Sequence, residues 1–508
     1  MRTTIPCPIM RKVFATIIVI VCSVSMQAWD WWPLPMAKPD TCRDSILYEV
    51  SFAATAGSGK YNAFWMQSGE QGSVSASPYS GSLRTLVCKP ATRANRWFDY
   101  EAAVDLIGMV HSRQPYSDAL IPKGPFPVYQ GNYGSFIVRQ FYAHVRLYIV
   151  DITAGVMPVT DGMDTPLGSG SLMLSHNAPS MPALRIGFDR WTPIPGLFGY
   201  AELKGGIVHA WLTDNIGVSH SKLHYKWIGM QLGGCLPVNV SYELHHAAQW
   251  GGYDAEGNDL GNNLSTFKRV FLAQAGSGSY NESHNAAGNH TGSQQIAVTL
   301  KGAKWNVKCY WQNFLEDNFN FIGMGHNLPD GRWGVSANQS QWPFIHTLTI
   351  EYVCTTDQSG PMHDQDGIIY AGNDTYYYNY IYQQGWNYYL RSLGTPLITS
   401  PIYNMDSYTQ TRNSRIQAWH AGVGGDIYGY QYLLMGTYTR NYGDYVHNDW
   451  YDMQSENTAL MLDVSKRVEK AWGLEFGVRL AADFGTQWGN QVSGMIRISK
   501  KGILTSYR

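Results

Sequence analysis

Few residue sets in this chain could carry out chemistry, and most of them fail on spacing. Glu243, His245 and His246 stand together in ELHH, a carboxylate–imidazole set that suggests a bound metal. A zincin-type site needs two histidines at i, i+4 on one helix face, whereas ELHH lies in an alternating, strand-like run. On a strand His245 shares the Glu243 face and His246 points the opposite way, so the two do not readily hold one ion. Gly57-Ser58-Gly59-Lys60 echoes a phosphate loop, but Ala54 stands where the first glycine belongs and Tyr61 follows the lysine in place of Ser or Thr. It reads as a turn. Glu316–Asp317 could supply half of a glycosidase carboxylate pair; adjacent at a strand end, they read better as a polar rim. The small-residue run Gly168–Ser171 does not match a nucleophile elbow. No nucleophile, base and oxyanion set emerges, so the reading is non-enzymatic, with no metal and no cofactor.

Binding chemistry is better represented. Tyr376, Tyr377, Tyr378, Tyr380, Tyr382 and Trp386 lie close to Asn373 and Asp374, and Trp250 sits in a QWGG turn. Sugar rings pair apolar C–H faces with hydroxyls, so flat aromatic faces with amide and carboxylate groups suit them. Asp357, Gln358 and His363 add polar loop groups. The candidate polysaccharide-binding set is therefore Trp250, Tyr376, Tyr377, Tyr378, Trp386, Asp357 and Gln358. An aromatic girdle at a membrane interface would use the same residue types without any ligand.

The elements that must position these residues show themselves by alternation. In Trp472–Asp483, Leu474, Phe476, Val478 and Leu480 occupy one parity, and Glu475, Gly477, Arg479 and Ala481 the other. Successive strand side chains point to opposite faces, so one face is apolar and one polar. Val238–His245 and Trp305–Gln312 repeat the pattern. In the same way Leu223, Tyr225 and Trp227 are expected outside, with Lys222, His224 and Lys226 inside. Glu202, Lys204, Glu243 and Lys308 are also expected to point inward. Charged residues are 15% and aromatics 14% of the 508 residues, low and high for a soluble domain. The fold class expected is all-β: a large antiparallel transmembrane β-barrel of about 16–18 strands. A net charge of -1 leaves no basic footprint for nucleic acid.

Arg11 and Lys12, the apolar run Val13–Val21 and small residues up to Ala28 read as a secretory signal over 1–28, with the barrel over 29–508. The run is too short to span a bilayer as a helix. After cleavage Cys42, Cys88, Cys235, Cys309 and Cys354 remain, widely spaced, and only Cys42 with Cys88 suggests a bridge. Turn chemistry punctuates short strands throughout, and no segment reads as an interdomain linker. The proline-rich Pro158–Pro195 reads as a lumenal or periplasmic insertion with short helices. Asp254–Asn263, Gly276–Gly292, Asn327–Gln341 and Thr355–Tyr378 read as long loops, and segments in Asn62–Val74 and Tyr380–Arg391 as additional strands.

Ordered blocks then resemble one family. LHYKW (Leu223–Trp227), HAAQWGG (His246–Gly252), LSHNAPSMPALRIG (Leu174–Gly187) and YWQNFLED (Tyr310–Asp317) are similar to blocks of the capsule-assembly Wzi family, in its Bacteroidetes branch. So are FWMQSGEQG (Phe64–Gly72), DGRWG (Asp330–Gly334), TTDQSGPMHD (Thr355–Asp364) and YYYNYIYQQGW (Tyr376–Trp386). The resemblance implies an outer-membrane barrel with a small periplasmic helical element. It further implies a lectin-like role without catalysis, in which capsular or exopolysaccharide, outer-membrane lipid and capsule export machinery are the partners. The rival readings are a porin or carbohydrate channel, a membrane-embedded hydrolase and a soluble secreted lectin.

Overall fold

The computed structural model describes residues 44–507, apart from 92–96, 123–125, 166, 275–286, 317–326, 328, 359–362, 366–367, 371–374, 405 and 448–452. The expected leader over 1–28, Cys42, Asp317, and the Asn373 and Asp374 pair lie outside the described residues.

Eighteen long strands form one closed antiparallel barrel. The first six are β1 (Asp44–Gly57), β2 (Ser80–Lys89), β3 (Phe98–His111), β4 (Gly134–Leu147), β5 (Val150–Met157) and β6 (Met181–Pro193). Then come β7 (Ala201–Trp211), β8 (Lys222–Leu232), β9 (Val238–Trp250), β10 (Asn289–Lys301), β11 (Trp305–Glu316) and β12 (Gly331–Gln339). The circuit ends with β13 (Thr347–Cys354), β14 (Ile416–Ile427), β15 (Tyr430–Asn441), β16 (Ser455–Val468), β17 (Leu474–Gly485) and β18 (Gln491–Tyr507). Each pairs with its sequence neighbour, and β18 returns to β1 in a register running from Asp44↔Tyr507 to Gly57↔Ser493. Closure leaves no sheet edge, which an apolar solvent demands.

The parity expected for β17 holds. Phe476, Val478 and Leu480 are 41%, 48% and 52% exposed, while Glu475 and Arg479 are each 5% exposed. Around the wall, Phe52, Leu83, Val104, Ile186, Ile228 and Ile496 extend this apolar outer band. Trp97, Tyr148, Phe198, Trp342, Tyr428 and Trp472 stand exposed at one end of it. Tyr79, Tyr133, Trp211, Trp419 and Phe484 stand exposed at the other. Two aromatic girdles around an apolar band are the outer surface that a bilayer requires.

Strand β8 departs from expectation. Ile228, Met230 and Leu232 are its exposed residues, so Leu223, Tyr225 and Trp227 face the lumen and Lys222, His224 and Lys226 face outward. The physical reason is that both faces of β8 are covered by protein at this end, so the apolar face no longer marks lipid. Glu202, Lys204, Glu243 and Lys308 do point inward, with Lys204 Nζ 2.6 Å from Glu243. Strands β6 and β12 were hidden in segments read as an insertion and a loop. In β6, Pro182 lies next to the strand start and Pro193 at its end beyond a register shift, positions where a missing N–H is tolerated.

The two ends differ. At one end the connections are short, for example 148–149 and 428–429; at the other they include 58–79, 158–180, 251–288 and 355–415. The segments read as extra strands in Asn62–Val74 and Tyr380–Arg391 belong to these long connections, not to the barrel wall. Two α-helices are described, α1 (Phe64–Gln67) and α2 (Leu264–Leu272), both in long connections. Residues 158–180 form no helix among the described residues.

Candidate functional site: a filled lumen and its rim

Three long connections turn back into the barrel and fill its lumen. Phe64, Trp65 and Met66 of the first, Leu172, Met173 and Leu174 of the second, and Tyr376, Tyr377, Trp386 and Leu393 of the third join one buried apolar cluster. That cluster continues onto the inner wall through Ile107, Val208, Tyr225, Phe314, Ile416 and Met461. A polar lumen was expected; its long-connection half is instead a hydrophobic core enclosed by the barrel. Burial of this much apolar side chain is what offsets the entropy of ordering such long segments.

Polar groups fix the plug in place. Asp483 of β17 accepts the Phe64 amide at 2.8 Å, and Trp65 Nε1 donates to Thr437 Oγ1 on β15 at 2.9 Å. Glu351 of β13 accepts the Ser169 amide at 2.6 Å and lies 3.6 Å from Arg332, which donates to the Met163 carbonyl at 2.8 Å. Gln312 of β11 donates to Ser171 Oγ at 2.7 Å and accepts the Leu172 amide at 3.2 Å. Trp386 Nε1 donates to the Met173 carbonyl at 2.8 Å, and Arg391 to Gln67 Oε1 at 3.1 Å, tying the three segments to one another. Buried backbone donors and acceptors outside the ladder are satisfied in this way.

The loop carboxyls feel this burial. Burial pushes Asp214 up to about 7, against the pull of several backbone N–H groups, including Tyr389 at 2.9 Å. Asp330 is likewise pushed up to about 7 by burial, although the Asp357 and Gln358 amides donate to it at 2.9 and 2.6 Å. Burial raises Asp161, whereas Asp164 is held below the usual carboxylate range because His176, Arg332 and the Ser171 amide outweigh its burial.

The sequence-derived site residues do not form one exposed platform. Tyr376, Tyr377 and Trp386 are buried in the plug, with Tyr376 and Tyr377 edge-on to Phe314 at 4.9 and 5.6 Å. Gln358 is buried and accepts the Tyr376 amide at 3.1 Å; Asp357 is half-buried beside it. Trp250 faces away from this set, on the outer wall, packed on Phe267 of α2 at 5.2 Å, while its neighbour Gln249 donates inward to the Gly385 carbonyl at 2.9 Å. Tyr378 is half-buried. Of the tyrosine run, Tyr380 is the ring that opens to solvent, at 52%. Glu316 accepts the Tyr377 amide at 3.2 Å, which makes it a plug anchor. His245 keeps the Glu243 face at 3.4 Å, and His246 points outward to His290 at 2.9 Å.

Above the plug, residues missed in the sequence gather beside Tyr378. The Arg412 guanidinium lies 4.5 Å over the Tyr408 ring and 2.8 Å from Asp406. His447 packs edge-on against Tyr408 at 5.0 Å, held by Asp444 at 2.8 Å. Burial and the neighbouring Tyr378 and Asp444 push Tyr408 up to about 12. Asn379 and Gln410 connect the two parts of this rim, the Asn379 amide donating to Gln410 at 2.9 Å. Tyr378, Tyr380, Tyr408, Arg412 and His447 thus offer aromatic rings with adjacent cationic and hydrogen-bonding groups. Tyr408 and Arg412 are a few residues apart, but only the fold brings His447 to them. By contrast, a cavity bounded by Phe64, Leu397, Asn457 and Trp488 has about 10 Å³, room for a water and not a sugar.

The fold defines a plugged, 18-stranded barrel of outer-membrane type. No family model matches the sequence, and no curated protein matches it. Among solved structures the chain is similar to Wzi of Escherichia coli, described as an outer-membrane protein involved in group 1 capsule assembly and a carbohydrate-binding β-barrel. The TM-score is 0.54 at 12% identity, covering 89% of this chain and 84% of that one. It is also similar to OccK3 (OpdO) of Pseudomonas aeruginosa, with a TM-score of 0.45 at 10% identity, covering 91% and 96% of the two chains. OccAB4 of Acinetobacter baumannii gives 0.44 at 9% identity, covering 92% and 100%. At these identities the likeness is one of fold.

Proposed function

We propose that this protein is an exported outer-membrane barrel that binds and organises capsular or surface polysaccharide at its long-connection rim, without catalysis. The observation that carries this reading is the filled lumen beneath a rim of aromatic and cationic side chains. A chain-like glycan would touch the rim at several weak points and gain from multivalency. The Wzi likeness in fold supports the same ligand class, and the export machinery of that glycan is the natural second partner. The residues over 1–28 would direct export.

The test is binding of capsule polysaccharide to purified protein, normalised to the heat-modifiable, folded fraction on a gel. Stacking on one ring is worth on the order of 1 kcal/mol. Tyr380→Ala, Tyr408→Ala and Arg412→Ala should therefore each lose several-fold, and the triple variant much more. Unchanged normalised binding in the triple variant would remove the rim from the function. Trp250, Tyr377 and Trp386 support the rim from below or outside, so their alanine variants should lower folded yield and leave normalised binding intact.

A further inference from the structure

Within the connection 251–288, helix α2 lies on the outside of the wall, with Phe267 against Trp250 and His224. Helix α2 is capped by Asn263, whose side chain accepts the Thr266 amide at 2.9 Å, and covers the upper ends of β7 to β9. Its inner face is apolar: Val270 is buried, Phe267 packs on His209 at 5.8 Å and on His224 at 5.6 Å, and Phe271 on His224 at 5.1 Å. Lys226 of β8 donates to the Phe271 carbonyl, and Lys222 donates to Asn262 at 2.6 Å. Wall residues that would otherwise face lipid are thereby shielded by protein.

The outer face of α2 is of another kind. Leu264, Lys268 and Leu272 recur at i, i+4 and i+8, a single stripe pointing away from the barrel. Leu264 is 68% and Leu272 59% exposed, and Lys268 is exposed beside a half-buried Arg269. Among the described residues no carboxylate pairs with Lys268 or Arg269. Directly below, on the same strands, Ile207 and Ile228 stand exposed in the apolar band. The helix therefore sits where the acyl region meets the headgroups, with leucines at its ends and cations between them.

We infer that α2 is an interfacial anchor that binds lipid with a net anionic phosphate headgroup in the leaflet on the long-connection side. Leu264 and Leu272 enter the acyl boundary, and Lys268 and Arg269 hold the headgroup phosphate. The inference rests on the membrane reading of the barrel.

The experiment is native mass spectrometry of the full-length, detergent-purified protein with lipid A or phosphatidylcholine as the added lipid, alongside insertion of the same protein into phosphatidylcholine vesicles. Wild type should retain lipid A over phosphatidylcholine. Lys268→Gln with Arg269→Gln should lower that retention on the order of tenfold. Leu264→Ser with Leu272→Ser should lower it as well, both variants staying heat-modifiable and inserting normally. Equal retention by wild type and the Gln pair would overturn the inference, as would displacement of lipid A by excess inorganic phosphate, which would mark a free-phosphate site. Failure of the wild type to insert into vesicles would instead overturn the membrane reading.

Discussion

Asp214 and Asp330 sit near neutrality because burial disfavours their charged forms more than the donated backbone N–H groups favour them. Each has a folded pKa raised from 3.8 to about 7. The folded state therefore binds protons more tightly than the unfolded chain. This contribution to stability is fully present below pH 3.8 and is lost as pH rises through about 7. Asp214→Asn keeps an acceptor for the Tyr389 amide and cannot ionise. It should flatten the loss of stability across that window by a few kcal/mol, seen as a smaller shift in urea midpoint between acid and neutral buffer. An unaltered pH slope would show that Asp214 is not the titrating group. Trp386 offers a second residue-scale test. Its ring is buried and its Nε1 bonded at 2.8 Å, so Trp386→Ala should cost about 3–5 kcal/mol, read from the unfolding midpoint of the reconstituted protein.

At the level of elements, alternation in β17 is decisive because its two faces meet different media. An arginine replacing Val478 at the apolar band should cost about 2–4 kcal/mol, whereas at the girdle it costs about 0–1 kcal/mol. Trp472→Arg, at the exposed turn between β16 and β17, is the matched control. Refolding yields into lipid vesicles should drop sharply for Val478→Arg and little for Trp472→Arg; equal losses would remove the band assignment. Ala481 would be a poor control, because it packs against the plug cluster and an arginine there would be buried. Strand β8 shows where the same logic misleads. Tyr225 lies 2.7 Å from His245 and stacks on Trp227 at 5.1 Å inside the lumen, while His224 is covered by α2 outside. With protein on both faces, polarity no longer reports direction.

For the whole molecule, the filled lumen separates this barrel from an open channel. Purified protein in planar bilayers should carry no large, steady current. Replacing 375–400 with a short Gly/Ser linker removes Tyr376, Tyr377, Trp386 and Arg391 from the plug, and should open one. A wild-type conductance as large as the deletion's would favour the channel reading. The same replacement removes Tyr378 and Tyr380 from the rim, so it should also weaken polysaccharide binding.

Much of the barrel was legible along the chain, because lipid outside and protein inside impose a period of two on β9, β11 and β17. Closure also follows from that medium. What escaped was what depends on contacts distant in sequence. Strand β12 lay hidden in a Gly- and Asn-rich stretch, and β6 was masked by prolines tolerated at its ends. The tyrosine run carried the composition of a sugar platform, yet Tyr376 and Tyr377 meet Phe314 in the core and Tyr380 alone of the run is exposed. His447 reaches Tyr408 from beyond the β14–β15 hairpin, a proximity no local pattern encodes. Local chemistry thus determined that the chain forms strands with one apolar face. Tertiary packing decided which loops entered the lumen and which covered the wall, because burial of a side chain depends on every segment that surrounds it.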